Sequence, residues 1–175
     1  MACEGILVAI LFLSLIAPAT QPSPSTQPTE VSDIHEIDAA GIRKLLHNSR
    51  DLQLVTVWAT WCAPCLAEMP ETAEVARQFS GRGLKWTTIS IDEKRNSGRV
   101  YEVLSAKKIS AANYIFIGEK LHDLASALDS ADTRWDGFPP HTLLAAPGGN
   151  VVYRHVGPID RNELSAKIRE HLKDQ

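Results

Sequence analysis

Val55-Thr56-Val57-Trp58-Ala59-Thr60-Trp61-Cys62-Ala63-Pro64-Cys65 opens as an apolar, β-branched run and closes on a Cys-x-x-Cys. Leu66-Ala67-Glu68-Met69-Pro70 follows and reads as helix. The stretch predicts a buried strand that delivers two cysteines to the first turn of a helix. A helix N-terminus carries unpaired N–H groups and a partial positive charge, and both favour thiolate over thiol at Cys62. Thiolate is the form that attacks disulfides. Cys65 lies one turn further in on the same face. It is close enough to close a disulfide with Cys62 and too far inside to attack first.

A Cys-x-x-Cys also serves as a structural disulfide or as half of a zinc site. Zinc needs two further ligands at compatible spacing. His47, His122, His141, His155 and His171 are scattered, and no two of them make an H-x3–5-H pair. The chain holds 3 cysteines in 175 residues, too few for a disulfide scaffold. The pair therefore reads as a working redox pair, with no metal and no cofactor called for. A composition of 44% hydrophobic and 22% charged residues suits a soluble domain with a proper core. The net charge of −3 offers no electrostatic case for nucleic acid as a partner.

Upstream of the strand, Ile6 to Ile16 is an apolar run of signal-peptide length, short for a membrane span. Ala17-Pro18-Ala19 fits a small-x-small cleavage pattern, although Met1 to Glu4 offers no Lys or Arg. Cys3 precedes the apolar run and is badly placed for a lipoprotein cysteine. Residues 1–19 are expected to be a signal peptide or a short N-terminal anchor. Residues 20–33, with Pro22, Pro24 and Pro28, read as a Pro/Ser/Thr-rich linker. Residues 34–175 make the folded domain.

Within that domain Asp38 reads as the N-cap of a helix carrying Ile42, Leu45 and Leu46. Leu52–Thr60 is the buried strand, and the active-site helix runs from Cys62 to about Ser80, with Pro70 expected to kink it. Leu84–Ile91 is the next strand, and Ser97 is expected to cap a helix with Val100, Val103 and Leu104 inward. Asn113–Ile117 reads as an added strand and Leu121 to Leu128 as another helix. Phe138-Pro139-Pro140-His141-Thr142-Leu143-Leu144, the Gly148-Gly149-Asn150 turn and Val151-Val152-Tyr153 read as strand, tight turn, strand: a hairpin. Asp160 and Glu163 make a capping-box pattern for a last helix with Leu164, Ile168 and Leu172 inward.

The string Trp58-Ala59-Thr60-Trp61-Cys62-Ala63-Pro64-Cys65, with Glu68 and Pro70, resembles the thioredoxin-like thiol-disulfide oxidoreductases, and within them the exported TlpA/ResA-type proteins. The resemblance extends more weakly from about Asp38 to the C-terminus. It implies an α/β thioredoxin fold: a central mixed sheet flanked by helices, with an N-terminal helical extension and extra structure before the hairpin. It implies a Cys62–Cys65 disulfide in the oxidised state, attack by Cys62 and resolution by Cys65.

In that family a cis-proline opens the strand facing the cysteines. Pro140-His141-Thr142-Leu143-Leu144 matches its pattern, and choosing Pro139 instead shifts the register by one. A proline there has no N–H and leaves the neighbouring backbone free to pair with an extended substrate. Glu68, three residues past Cys65, matches an acid linked in ResA-like relatives to tuning the thiols. Ordinary thioredoxins carry a buried Asp six residues before the first cysteine; this chain has Thr56 there, which leaves Glu68 as the nearby candidate to move the Cys65 proton. Trp61 is expected at the surface as a partner contact, and Trp58 in the core. Trp135 is expected to pack in the core. His141, beside Pro140, is a candidate titrating group near Cys62, with an outward-facing ring the favoured placement.

A thiol peroxidase pattern, P-x-x-x-T/S-x-x-C, fails at Val55 and Ala59. A thioredoxin-fold copper carrier uses a three-residue gap between its cysteines, where this chain has two. The resemblance implies a monomeric, exported protein-disulfide oxidoreductase working in a periplasmic or similar space. Its partners are exported protein thiols or disulfides and an unidentified electron donor, such as a membrane thiol-transfer protein. Reduction of disulfides, including apocytochrome c thiols before haem attachment, is the direction the family suggests.

Overall fold

The computed structural model describes Met1, residues 33–129 and residues 135–172. The expected signal segment and nearly all of the expected linker lie outside these residues. Among the described residues, no helix is long and apolar enough to cross a membrane.

The sheet is built outward from β2 (Leu52–Trp58), in which every residue is buried. Its parallel neighbour is β3 (Leu84–Ser90), with Val55 opposite Thr87. Its antiparallel neighbour is β5 (His141–Ala145), with Val55 opposite Leu143. Beyond β3 lie β4 (Ala112–Phe116) and then β1 (Ile34–Ile37), both parallel; beyond β5 lies β6 (Val151–Val156), antiparallel. The six-stranded order is β1-β4-β3-β2-β5-β6. A strand buried on both faces requires apolar cover on both. Leu52, Leu54 and Trp58 join one core with α2 (Ala63–Phe79), α3 (Ser97–Ala106) and α5 (Arg161–Leu172). Val55 and Val57 join the other with α1 (Ala39–His47) and α4 (Leu121–Leu128).

This is the mixed, two-sided sheet of the thioredoxin fold. The N-terminal extension contains the expected helix, with Asp38 Oδ1 accepting the Gly41 N–H at 2.7 Å as its N-cap. It opens, however, on a strand, β1. The helix α2 runs on through Pro70 to Phe79. Ser97 does not cap α3: a one-turn 3-10 helix, Lys94–Asn96, leads straight into it, and Ser97 is already its first residue. Asp160 does cap α5, its Oδ1 accepting from Asn162 N (2.8 Å) and Glu163 N (3.1 Å). The Glu163 carboxylate is turned to the Tyr153 hydroxyl, which donates at 2.6 Å.

Candidate active site

β2 ends at Trp58, and the next four residues carry the chain to α2. Three anchors shape this link. Ile91 N–H donates to Trp58 O at 2.9 Å, and Cys62 N–H to Ala59 O at 3.1 Å. The third anchor is a buried carboxylate just past β3. Asp92 accepts Thr60 N–H at 2.8 Å, the Thr60 hydroxyl at 2.6 Å and the Ser90 hydroxyl at 2.7 Å. Nothing local in the sequence announces Asp92, because Thr60 is 32 residues away.

Cys62 is the N-cap of α2, in extended backbone, and its Sγ accepts the Cys65 N–H at 3.3 Å. Ala63 and Pro64 form the first helical positions, where the missing proline N–H costs no intrahelical bond. Cys62 and Cys65 are joined as a disulfide, with Cα atoms 5.3 Å apart. The neighbouring Trp61 is 60% exposed, while Trp58 is buried in the core beneath. With the disulfide reduced, a thiolate at Cys62 sits where the unpaired N–H groups of the first turn converge.

Glu68 follows one turn after Cys65 and is half-buried. Glu68 and Cys65 line one small cavity with Thr56, Trp58, Met69 and Trp86. Thr56, in the place of the buried Asp of ordinary thioredoxins, accepts Trp86 Nε1–H at 3.1 Å. Burial pushes the Glu68 carboxyl above its ordinary value. A backbone hydrogen bond from Ile159 N–H to Oε2, at 2.9 Å, and the nearby His155 charge pull the other way.

The other wall comes from the chain entering β5. The Pro139–Pro140 peptide bond is cis, which assigns the matching position to Pro140 rather than Pro139. The pairing of His141 with Val57 sets Pro140 at the end of the sheet where β2 hands over to the cysteines. The Pro140 carbonyl accepts Gly157 N–H at 2.9 Å. Gly137 holds φ +95°, and a Cβ there would lie 2.6 Å from the Leu121 carbonyl, so glycine is needed to bring this segment past α4. Phe138 is exposed beside the prolines.

His141 does not face outward. It is 1% exposed, and its ring lies 3.8 Å, centroid to centroid, from that of Trp135. Side chains alternate along a strand, so His141 shares a face with Leu143 and Ala145, which pack with α1 and α4. The helix bearing the cysteines covers the opposite face. Trp135 is in the core, as expected, and its Nε1–H donates to Phe138 O at 2.7 Å, bracing the turn before the prolines. The structure thus brings together Cys62, Cys65, Glu68, Trp61 and Pro140 at one end of the sheet and turns the His141 ring away. Among the described residues, no three His, Cys, Asp or Glu side chains are placed to hold a metal ion.

A thioredoxin fold with a Cys-x-x-Cys disulfide at the start of its first long helix defines the class of thioredoxin-like thiol-disulfide oxidoreductases. Residues 33–169 match the Redoxin family, and the chain belongs to it. It is 27% identical over 128 residues to the thiol:disulfide interchange protein DsbE homolog of Paracoccus denitrificans, covering 70% of this chain and 60% of that one. The match thus spans less than two thirds of that relative. Thioredoxin 2 of Chlorobaculum tepidum is 25% identical over 125 residues, covering 71% of this chain and 83% of its own. In fold, the chain matches the crystal structure of a thiol:disulfide interchange protein of the thioredoxin family from Chlorobium tepidum. There the TM-score is 0.61 at 20% identity, over 83% of this chain and 97% of that one.

Proposed function

We propose that this protein reduces disulfides in exported proteins through Cys62 and Cys65. The observation that carries the reading is the placement of Cys62 at the N-cap of α2, its sulfur on the Cys65 N–H, with Cys65 and Glu68 following on the same helix. In the reduced protein, Cys62 thiolate attacks one sulfur of a substrate disulfide. A Cys62–substrate bond forms, the substrate S–S bond breaks, and the departing thiolate takes a proton from solvent. Glu68 then accepts the Cys65 proton. Cys65 attacks the Cys62 sulfur, releases the second substrate thiolate and closes the Cys62–Cys65 disulfide. Two electrons pass from the dithiol to the substrate, and an external dithiol donor restores the pair.

Pro140 presents no N–H. An extended substrate segment lying along the Pro139–Pro140 backbone, against Trp61, reaches the sulfur of Cys62. The TlpA/ResA resemblance, the relative named as a DsbE homolog and the apolar segment at residues 6–16 support an extracytoplasmic setting, with the N-terminal segment as leader or tether. The TlpA/ResA resemblance alone suggests a monomer that reduces apocytochrome c disulfides to thiols and is recharged by a membrane thiol-transfer protein. Cys65→Ser tests the reading. Mixed disulfides with partner proteins should accumulate through Cys62 and vanish on adding a thiol reductant; a Cys65→Ser protein that traps none contradicts the order of attack.

A further inference from the structure

After β6, the turn Gly157-Pro158-Ile159-Asp160 leads into α5 and touches both halves of the site. Gly157, at φ +100°, gives its N–H to the Pro140 carbonyl at 2.9 Å. Two residues on, Ile159 gives its N–H to Glu68 Oε2, also at 2.9 Å. Ile159 anchors the turn in the core, and between these two bonds the His155 ring adds a third hydrogen bond. His155 Nε2 lies 3.0 Å from the Pro158 carbonyl. A carbonyl only accepts, so Nε2 carries the hydrogen. His155 stands opposite Thr142 on β5 and therefore faces the side of the sheet covered by α2 and α5.

We propose that His155 is a positioning residue for Glu68: its bond to the Pro158 carbonyl holds the turn that presents the Ile159 N–H to the Glu68 carboxylate, and so sets how tightly the acid beside Cys65 holds its proton. The inference deepens the proposed function and rests on Glu68 as the carrier of the Cys65 proton. Burial disfavours the charged carboxylate and the Ile159 N–H favours it. That one backbone donor is lost if the turn drifts by about an ångström, since hydrogen bonds weaken steeply with misplacement.

Among the described residues, two carboxylates interact with His155. On α2 it meets Glu68, whose ionised form its charge favours. On α5 it meets Glu163, with Oε1 3.9 Å from Nδ1. On its own strand Tyr153 donates to that same oxygen, and Lys167 of α5 lies 5.8 Å over the Tyr153 ring. Asp160 in the turn is engaged with the first N–H groups of α5. On β5 its partner Thr142 is neutral.

The test uses the full chain in its reduced state. The Glu68 side-chain carboxyl carbon is titrated by NMR, assigned by its absence in Glu68→Gln, and the pH profile of thiol alkylation is recorded alongside. His155→Val keeps a strand-favouring side chain and removes the donor; His155→Thr serves in its place if Val does not fold. The expected result is a Glu68 midpoint displaced to higher pH, with the matching inflection in thiol reactivity following it. His155→Gln, whose amide N–H can reach the Pro158 carbonyl, should recover at least half of the displacement. An unmoved midpoint in His155→Val, or a Gln variant no closer to wild type than Val, overturns the inference. If the midpoint moves while Glu68→Gln leaves the thiol profile unchanged, the role of His155 stands and the proton-carrier role of Glu68 falls.

Discussion

Asp92→Ala is the sharpest perturbation of the framework behind the cysteines. Asp92 is 3% exposed and accepts three hydrogen bonds, two from Thr60 and one from Ser90. Bonds to a charged acceptor contribute about 1.5–3 kcal/mol each, which sums naively to roughly 5–9 kcal/mol. The sum overstates the loss. The two hydroxyls can rotate to other acceptors, and Thr60 is only partly buried, so water can reach its N–H. A cost of about 3–5 kcal/mol is expected, a large share of the roughly 5–15 kcal/mol that stabilises a typical domain. Asp92→Asn keeps one oxygen for Thr60 N–H and Ser90, and sets an amide against a hydroxyl that can turn to accept; about 1–2 kcal/mol is expected. Thr60→Val removes a single bond and should cost about 1.5 kcal/mol. Urea unfolding of the oxidised protein near neutral pH, read by tryptophan fluorescence, measures all three as midpoint shifts at constant slope. The reasoning is refuted if Asp92→Ala costs less than about 1 kcal/mol, or if Asn is as damaging as Ala.

Glu68→Gln should change how stability depends on pH. Burial raises the Glu68 value above the ordinary 4.5, so the native state holds this proton more tightly than the unfolded chain does. That contribution is complete below the unfolded value and is lost as pH rises through the raised one. The melting temperature of the Gln variant, minus that of wild type, should therefore climb with rising pH from about pH 4; a flat difference would assign Glu68 a solvated carboxyl. Leu144→Ala, at a fully buried position of β5, should cost about 2–5 kcal/mol by the same urea assay. A loss below about 1 kcal/mol would mean that this core collapses to fill the gap.

The strand-to-helix stretch at Val55–Cys65 was legible because its information is local: apolar continuity, then cysteines spaced one helical turn apart. The hairpin was legible for the same reason, through Gly148-Gly149 between two apolar runs. β1 was not, because only Ile37 of its four residues is buried and its extended form depends on pairing with β4 far along the chain. Ser97 looked like a cap because it precedes the helical pattern, yet the 3-10 turn before it had already begun the coil. His141 was misplaced for a topological reason. Strand parity groups it with Leu143 and Ala145, but which face of the sheet lies under the cysteines is set by where α2 crosses, which periodicity does not reveal. Asp92 and the Ile159 N–H act through partners 32 and 91 residues away, one of them with a backbone group that carries no residue signature.

Cys62 and Cys65 are expected to exchange a dithiol for a disulfide reversibly. The direct test is the redox equilibrium of the purified protein in glutathione and dithiothreitol buffers, followed by tryptophan fluorescence and thiol alkylation. One reversible two-electron transition is expected, absent in Cys62→Ser and Cys65→Ser. A midpoint near thioredoxin's value of about −270 mV would fit the proposed reductase, and one near about −120 mV would instead fit a disulfide-inserting oxidant. A pair that stays oxidised, or shows no reversible two-electron transition across these buffers, would contradict the account and leave the disulfide a structural staple.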